Sequence, residues 1–403
     1  MNLVIEKLGQ RGDGLAHVDG RLVVVPKTLP GEIIDQTDGG IRILKASPDR
    51  IEPFCPVYDR CGGCKFQHVA QMPYAEWKRS QVVEALQGQG ITTDIATLID
   101  AHGLGRRRAS FHVRRINEVW QAGFMAEKTH DLVAIDHCPI LVPRLARAPE
   151  LAASFGPLLG NCDVVMTAMD NGIDVFVKAD KQAVDQHYTQ FRRMMENHGV
   201  IRVSVNAEVV SKSQNPVLGI GKALVSPPPG SFLQATAKGE EILAELVMSH
   251  LGKSRNVLDL FCGVGPFALR IAERSKVHAI DSDKKAVAVL SETLRNTKGL
   301  KPVTTETRDL FKMPLTFIEL ADYDCVVFDP PRAGAEAQCR QLAKSKVRNV
   351  IAVACEAQSF ARDARILIEG GYRLTKVTPV DQFKYSTHVE IVAHFTRAPN
   401  NAK

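Results

Sequence analysis

The sequence of 403 residues has no long apolar run and no strong excess of charge of either sign. No apolar stretch reaches about 18 residues, the length a membrane-spanning helix needs. The first residues, MNLVIEK, are too short and too charged for a signal peptide, so we expect a cytoplasmic protein. The 51 basic and 45 acidic residues give a net charge of +6, which indicates little about partners unless the charges cluster.

The lack of an export signal and of phosphate-binding motifs limits the kinds of site that the chain can form. The nine cysteines are an odd number without an export signal, which argues against a disulfide scaffold and favours metal or catalytic use. The motif G-x-G-x-x-G and the Walker lysine are both missing, which argues against a dinucleotide or triphosphate ligand. With 45% hydrophobic and 24% charged residues, disorder, collagen and coiled coil are excluded as descriptions of the whole chain.

Three units are expected along the chain. Residues 1–50 are predicted to form a small all-β unit. Residues 51–230 are predicted to form a central unit. The central unit begins with a cysteine-rich loop and a helix over 72–90, and continues with short strands and one helical insert near 182–198.

The third predicted unit, residues 231–403, alternates apolar strands with helices from about residue 236. The predicted strands cover 256–261, 276–280, 323–328, 349–354 and 389–395. The predicted helices cover 265–274, 284–297, 334–345 and 358–370. This alternation predicts an α/β fold, a doubly wound sheet with helices on both faces.

A candidate nucleotide-type site follows the first of these strands. Gly263 and Gly265 lie in the turn before the next helix, where glycine lets the backbone approach a ligand closely. Asp281 ends the next strand, where a carboxylate can bind both hydroxyls of a ribose, and Asp309 follows the third strand, where it can accept from an exocyclic amine. Without a phosphate-binding motif, this series favours an adenosyl ligand over a plain βα turn with solvated acids.

Three side chains at the same predicted sheet edge are candidates for chemistry. Asp329 follows a buried strand in the motif DPPR (329–332), which is either a substrate-facing carboxylate or a structural strand terminator. Cys355 follows the strand 349–354, a position that suits a thiolate nucleophile as well as an inert buried cysteine. Glu390 lies in an apolar strand and is either a general base or a partly exposed strand residue.

Four cysteines have the spacing of a metal centre. Cys55, Cys61 and Cys64 lie in one loop, where two glycines allow the chain to fold around a metal, and Cys138 is the distant fourth candidate. Four thiolates suit either zinc or an iron–sulfur cluster, and spacing alone does not choose between them.

Residues 101–117 concentrate positive charge. If this stretch is a strand, one face carries Arg108, His112 and Arg114, and the other carries Phe111 and Val113. An exposed basic ribbon suits contacts to RNA phosphates, which contribute affinity rather than sequence selectivity; the alternative is a solvated charged face. Residues 101–117 contain no carboxylate and five arginines: Arg106, Arg107, Arg108, Arg114 and Arg115.

Over most of its length the chain resembles the RNA uracil-5-methyltransferase family, the S-adenosylmethionine-dependent enzymes of ribosomal and transfer RNA. The resemblance rests on CPx4CGGC at 55–64, HCP at 137–139, DLFCG at 259–263, DPPR at 329–332 and HVE at 388–390. Residues 1–50 look like a short version of the family's N-terminal TRAM domain. The resemblance implies a Rossmann-like class I methyltransferase domain, a small OB-like β domain and an α+β central domain that carries a metal cluster and binds RNA.

The resemblance also implies roles for individual residues. Cys355 would add to C6 of uracil, and Glu390 would remove the C5 proton after C5 receives the methyl group, which forms 5-methyluridine. Ribosomal 23S RNA is the favoured substrate, and a monomer is expected. The [4Fe–4S] cluster would be held by Cys55, Cys61, Cys64 and Cys138. The S-adenosylmethionine and uracil sites would be lined by Gln234, Phe261, Asp281, Asp309 and Asp329.

Two segments depart from the family pattern. Pro266 stands where the family usually has Asn, and ACEA at 354–357 replaces the usual SCNP. Glu356 therefore places a charge beside the Cys355 thiol, which can raise the pKa of that thiol. The alternative functions are a methyltransferase acting on tRNA, on another RNA base or on an exocyclic amine, and a non-catalytic RNA-binding protein that retains the fold.

Overall fold

The N-terminal unit consists of two three-stranded sheets. The computed structural model describes residues 2–37, 40–180 and 187–398. One sheet has the strand order β1-β5-β6 and the other β2-β3-β4; apolar side chains from both, such as Ile34 and Val25, share one small core. The strands are β1 (Asn2–Val4), β2 (Lys7–Leu8), β3 (Gly14–Val18), β4 (Arg21–Val25), β5 (Ile33–Thr37) and β6 (Gly40–Lys45).

A helix and a short strand follow the cysteine-rich loop. Helix α1 (Gln71–Gly88) is predicted correctly to within two residues, and β7 (Ile99–Asp100) follows it. Both elements belong to the packing of the C-terminal sheet, because α1 packs against a helix of that unit and β7 extends its edge. The division of the chain at 50 and 230 stays a prediction.

The central sheet has seven strands in the order β10-β9-β8-β11-β12-β13-β14. Its strands are β8 (Arg108–Ile116), β9 (Val119–Met125), β10 (Leu132–Ala134), β11 (Cys162–Met169), β12 (Gly172–Ala179), β13 (Val200–Val205) and β14 (Glu208–Lys212). Strand β8 alternates as predicted, since Phe111 and Val113 are fully buried. A hairpin of β15 (Leu218–Ile220) and β16 (Ala223–Val225) leads to the C-terminal unit.

Three helices share a core with this sheet: α2 (Ala148–Ala153), α3 (Gly156–Leu159) and α4 (Tyr188–His198). We expected one helical insert near 182–198; α4 accounts for it from Tyr188 onward, and residues 182–186 lie outside the described residues. The prediction missed α2 and α3, because a helix of six residues or fewer is too short to show a 3.6-residue period.

The C-terminal unit is the expected α/β sheet. Its strands are β17 (Asn256–Leu260), β18 (Lys276–Asp281), β19 (Val303–Thr307), β20 (Cys325–Phe328), β21 (Asn349–Ala354), β22 (Arg373–Asp381) and β23 (Glu390–Thr396). Its helices are α5 (Ala237–His250), α6 (Ala268–Ile271), α7 (Lys284–Asn296), α8 (Glu336–Lys344) and α9 (Ala357–Glu369). Separate apolar cores on the two faces of the sheet confirm that helices cover both.

The strand order β19-β18-β17-β20-β21-β23-β22-β7 determines where side chains meet. The strands from β19 to β21 are parallel, whereas β23 runs antiparallel to both β21 and β22. The first residue of β23 therefore lies at the edge where the parallel strands end. Among the described residues, the helices are too short or too polar to cross a membrane.

Candidate active site

A cavity of about 490 Å³ opens at the carboxyl ends of β17, β18, β20 and β21. Phe261 follows β17, Asp281 ends β18, Asp329 follows β20 and Cys355 follows β21. Glu390 joins them because β23 is antiparallel and begins at this edge. The cavity is lined by seven of the predicted residues: Gln234, Phe261, Gly263, Asp281, Asp329, Cys355 and Glu390.

The turn after β17 shapes one wall of this cavity. Phe261 and Gly263 both adopt positive φ angles, 61° and 52°, a conformation that is uncommon for a phenylalanine. The Gly263 N–H donates to Asp281 Oδ2 over 2.9 Å, and the Asp283 N–H donates to Oδ1 over 2.8 Å. These two bonds hold the Asp281 carboxylate at the cavity wall, as a ribose-binding carboxylate requires.

Two predicted cofactor residues, Gly265 and Asp309, do not line this cavity. Gly265 has φ 91°, and a Cβ there would come within 2.6 Å of the Leu290 side chain, so this glycine permits close helix packing. Its left-handed conformation also explains why the helix predicted over 265–274 covers only Ala268–Ile271. Asp309 is only partly exposed beyond β19, where its carboxylate accepts from the Phe311 N–H over 3.1 Å. The Phe311 side chain lines the cavity instead.

A chain of side-chain hydrogen bonds joins the two buried acids. Gln234 Nε2 donates to Asp329 Oδ2 over 3.0 Å, and Gln234 Oε1 accepts from Gln382 Nε2 over 2.6 Å. Gln382 Nε2 also donates to Glu390 Oε1 over 2.8 Å. The other oxygen, Glu390 Oε2, is buried without a hydrogen-bond partner among the described residues. One carboxylate oxygen is thus free for a proton at the cavity.

Burial dominates the electrostatics of this site. Loss of solvation raises the pKa of Asp329 and of Glu390, and the neighbouring Asp329 charge raises the pKa of Glu390 further. Burial, followed by the charges of Glu390 and Asp329, raises the pKa of Cys355 to about 12, against a lowering effect of Arg332. The predicted influence of Glu356 on this thiol is not among these main causes. Glu356 occupies the N-cap position of α9 without a side-chain hydrogen bond to the helix.

Sequence reasoning missed several lining residues and their support. Arg332 and His388 form a pair at the cavity, with 2.8 Å between Arg332 Nη2 and His388 Nε2, and Phe383 lies beside them. Gln382 directly follows Asp381, the last residue of β22. Because functional residues often follow strand ends in α/β sheets, this position could have indicated Gln382. That strand itself was not predicted, because Pro379 interrupts its apolar pattern.

The four predicted metal-binding cysteines surround a second cavity of about 230 Å³. Burial and neighbouring thiols raise the pKa of Cys64 to about 12 and of Cys138 to about 11. Within the described residues, no three His, Cys, Asp or Glu side chains converge as ligands of a single metal ion. The cavity lining includes Cys55, Cys61, Cys64 and Cys138.

The five arginines of the predicted basic stretch, residues 101–117, lie in three different environments. Arg106 and Arg108 line the cysteine cavity, and the Nε atom of each is buried without a hydrogen-bond partner in the described structure. Two buried Nε–H donors without partners, beside four thiols, fit a negatively charged group there. Arg107 is buried and pairs with Glu240 over 2.6 Å, while its Nε donates to the Gln234 carbonyl over 2.9 Å. Arg107 thereby supports the active-site segment rather than facing solvent.

The remaining arginines are closer to solvent. Arg114 donates to the Cys162 carbonyl over 3.0 Å and lies 3.2 Å from the Asp163 carboxylate, whereas Arg115 is half exposed and pairs with Glu118. An exposed guanidinium keeps donors available for phosphates, so Arg115 is the member of this stretch best placed for an external partner.

The parallel sheet, the bent turn after β17 and the rim carboxylate Asp281 together define an S-adenosylmethionine-dependent methyltransferase of class I. A solved structure with the same fold is the tRNA (uracil-54, C5)-methyltransferase of Pyrococcus abyssi in complex with S-adenosyl-L-homocysteine. Its TM-score is 0.74 at 20% identity, covering 98% of this chain and 99% of that one.

Sequence comparisons narrow this class. The family model described as tRNA (Uracil-5-)-methyltransferase matches residues 226–398. A relative from Brucella suis biovar 1, named as an RNA methyltransferase, is 43% identical over 98% of this chain and 97% of its own length. The 23S rRNA (uracil(1939)-C(5))-methyltransferase RlmD of Chromohalobacter salexigens is 33% identical over 98% of this chain and 89% of its own. The chain belongs to the RNA uracil-5-methyltransferase family.

Proposed function

We propose that this enzyme forms 5-methyluridine in 23S rRNA through a covalent intermediate between Cys355 and C6 of the target uracil. The observation that carries the proposal is the convergence of Cys355, Glu390 and Asp329 on one cavity. A uridine must leave its stack to reach these groups, which favours a loop or single strand as the target.

The choice of RNA rests on similarity. The ribosomal enzyme of Chromohalobacter salexigens aligns with nearly the whole chain, which favours 23S rRNA. The description of the matching family model names tRNA, so a tRNA uridine is the second candidate. A cytoplasmic monomer acting on either RNA is part of the same proposal.

Five of the seven proposed cofactor residues line the cavity: Gln234, Phe261, Gly263, Asp281 and Asp329. S-adenosylmethionine, when bound, supplies the methyl group. Asp281 is positioned to accept hydrogen bonds from the ribose hydroxyls, and the Phe261 ring and Gly263 backbone border the same space. Gly265 lies in the same turn and packs against Leu290 outside the cavity. Asp309 accepts a hydrogen bond from the N–H of Phe311, which lines the cavity.

The protein side chains perform the remaining chemistry in the proposed cycle. The Cys355 thiolate attacks C6, and the electron pair of the C5=C6 bond moves to form an enolate. C5 then forms a bond to the methyl group as the bond from that group to sulfur breaks. Glu390 removes the C5 proton, the C5=C6 bond forms again, and the thiolate leaves C6. Asp329 faces the same cavity as a hydrogen-bond acceptor.

We further propose that Cys55, Cys61, Cys64 and Cys138 hold a [4Fe–4S] cluster. The proposal is supported by the cavity that the four cysteines share and by the buried Nε atoms of Arg106 and Arg108 beside it, which lack hydrogen-bond partners among the described residues. In this position the cluster would cross-link the cysteine-rich loop to the central sheet, and no step of the reaction depends on it. RNA contacts of the arginine stretch stay a prediction, with Arg115 the most accessible of the five.

A covalent trap tests the mechanism. RNA that contains 5-fluorouridine cannot lose a proton from C5, so a protein that follows this route remains bonded to the RNA. The wild type and a Cys162→Ala control, altered at a buried cysteine of β11, should both form a stable adduct with S-adenosylmethionine present. Cys355→Ala should form none. A Cys355→Ala protein that still forms the adduct contradicts the assignment.

The RNA is identified by mapping. Unmodified 23S rRNA and tRNA transcripts are incubated with the enzyme and isotopically labelled S-adenosylmethionine, and the labelled 5-methyluridine is located by mass spectrometry. Label in the 23S transcript alone is expected. Label confined to tRNA establishes the second candidate instead.

A further inference from the structure

Gln382 occupies an unusual place between the two acids of the active site. It is fully buried and does not line the cavity, yet its side-chain amide makes three hydrogen bonds. Its Oε1 accepts from the Ala235 N–H over 2.9 Å, and its Nε2 donates both to Gln234 Oε1 and to Glu390 Oε1. Both N–H donors and the oxygen of this amide are thus directed at the segment 234–235 and at the base.

The orientation of this amide follows from its partners. A backbone N–H can only donate, so the atom of Gln382 that faces Ala235 must be the oxygen, and the NH2 group must face Gln234 and Glu390. Gln234 must in turn present its oxygen to Gln382, which leaves its own NH2 group for Asp329. One backbone contact therefore sets the direction of the whole hydrogen-bond chain.

Glu390 depends on this amide more than on any other neutral group. Among the described residues, the Glu390 carboxylate has one hydrogen-bond partner, Gln382, which donates to Oε1. The other oxygen, Oε2, has none. A bond to the ionised carboxylate favours the form that can accept a proton. The charged and titratable groups around Glu390 are Asp329 after β20, Cys355 after β21, Lys78 on α1 with its partner Asp381, and the pair Arg332 and His388.

We propose that Gln382 is a positioning residue for methyl transfer: it orients the Glu390 carboxylate and the Gln234 amide together. The proposal rests on the proposed function, since it assumes that Glu390 is the base. Removing the amide leaves Glu390 without a donor, so more of this carboxyl is protonated near neutral pH. Because Asp329 and Glu390 interact, the observed pH profile belongs to the pair.

The test compares pH profiles of 5-methyluridine formation for the full-length wild type, Gln382→Met and Gln338→Met. Gln338 is a matched control, a buried glutamine of α8 that bonds both the N–H and the carbonyl of Leu315. For Gln382→Met we expect the acid limb of the kcat profile to move about one pH unit upward, with kcat about tenfold lower near pH 7. S-adenosylmethionine affinity should stay within about twofold for Gln338→Met, because its hydrogen bonds go to Leu315, which does not line the cavity.

A second variant protects the test against misfolding. Gln382→Glu keeps the oxygen that faces Ala235 but loses the NH2 group, so its acid limb should also move upward. An unshifted profile in both variants overturns the proposal, as does an equal shift in Gln338→Met, since Gln382 is then merely structural. A wild type that transfers no methyl group to uridine overturns the proposed function, and this inference with it.

Discussion

Lys78 Nζ lies 2.5 Å from the Asp381 carboxylate, and both side chains are almost completely buried. The same ammonium donates to the carbonyls of Phe383 and His388, over 3.0 and 2.7 Å. Helix α1, which follows the cysteine-rich loop, thereby holds both ends of the segment 382–389 that precedes the proposed base. The Tyr74 hydroxyl completes this cluster through a 2.6 Å bond to Asp381.

Replacing Lys78 by methionine should destabilise the protein by about 3–5 kcal/mol, because it leaves the Asp381 carboxylate buried without its counter-charge. Urea unfolding monitored by circular dichroism measures this loss. The double variant Lys78→Met, Asp381→Leu removes both charges and should recover most of the stability. A single variant as stable as the wild type would contradict the importance of this pair.

Glu390→Gln should trap the enzyme on ordinary uridine RNA. The amide has the same shape as the carboxylate but cannot take the C5 proton, so the Cys355 adduct persists after the methyl group has been transferred. Turnover should fall by roughly 10²–10⁴-fold. A denaturing gel with labelled RNA measures the adduct.

The matched control for this experiment is Glu356→Gln. Glu356 directly follows the proposed nucleophile but does not line the described cavity, so this variant should turn over like the wild type. If Glu390→Gln also releases product at the normal rate, another group removes the proton.

The rate of adduct formation with 5-fluorouridine RNA should rise steadily from about pH 7 to about pH 9, because the thiolate is the reactive form. The pKa of Cys355 is raised by burial and by two carboxylates, so the thiolate fraction still increases throughout this range. Arg332→Gln removes a charge that lowers this pKa and should shift the rise to higher pH. A plateau below pH 7 would show that the thiol is already ionised there.

Protein purified without oxygen should be brown and contain about four irons and four sulfides per chain. Cys64→Ser should lose iron and colour, because it removes one thiolate that borders the cavity, whereas Cys162→Ser should keep both. Metal analysis and the visible spectrum measure the outcome. A colourless protein with one zinc per chain would contradict the cluster.

Local patterns were sufficient for much of the α/β unit. Apolar strands followed by glycine, aspartate or cysteine predicted that Asp281, Asp329 and Cys355 share one sheet edge, because parallel strands end on the same side. Short helices and the proline-containing strand β22 were missed, since they carry little periodicity of their own. The five arginines looked equivalent in sequence, yet Arg107 is buried against Glu240 and Arg115 is half exposed.

The sequence by itself determined the class of fold, the family and seven of the residues that line the cavity, because strand ends and motifs are local features. Only the tertiary structure decided how those side chains are supported. Gln382 reaches Glu390 because β22 and β23 are antiparallel neighbours, and it reaches Ala235 across 147 positions of sequence. Lys78 and Asp381 are 303 positions apart. No local pattern encodes such pairs, since each partner becomes buried only when distant segments pack together.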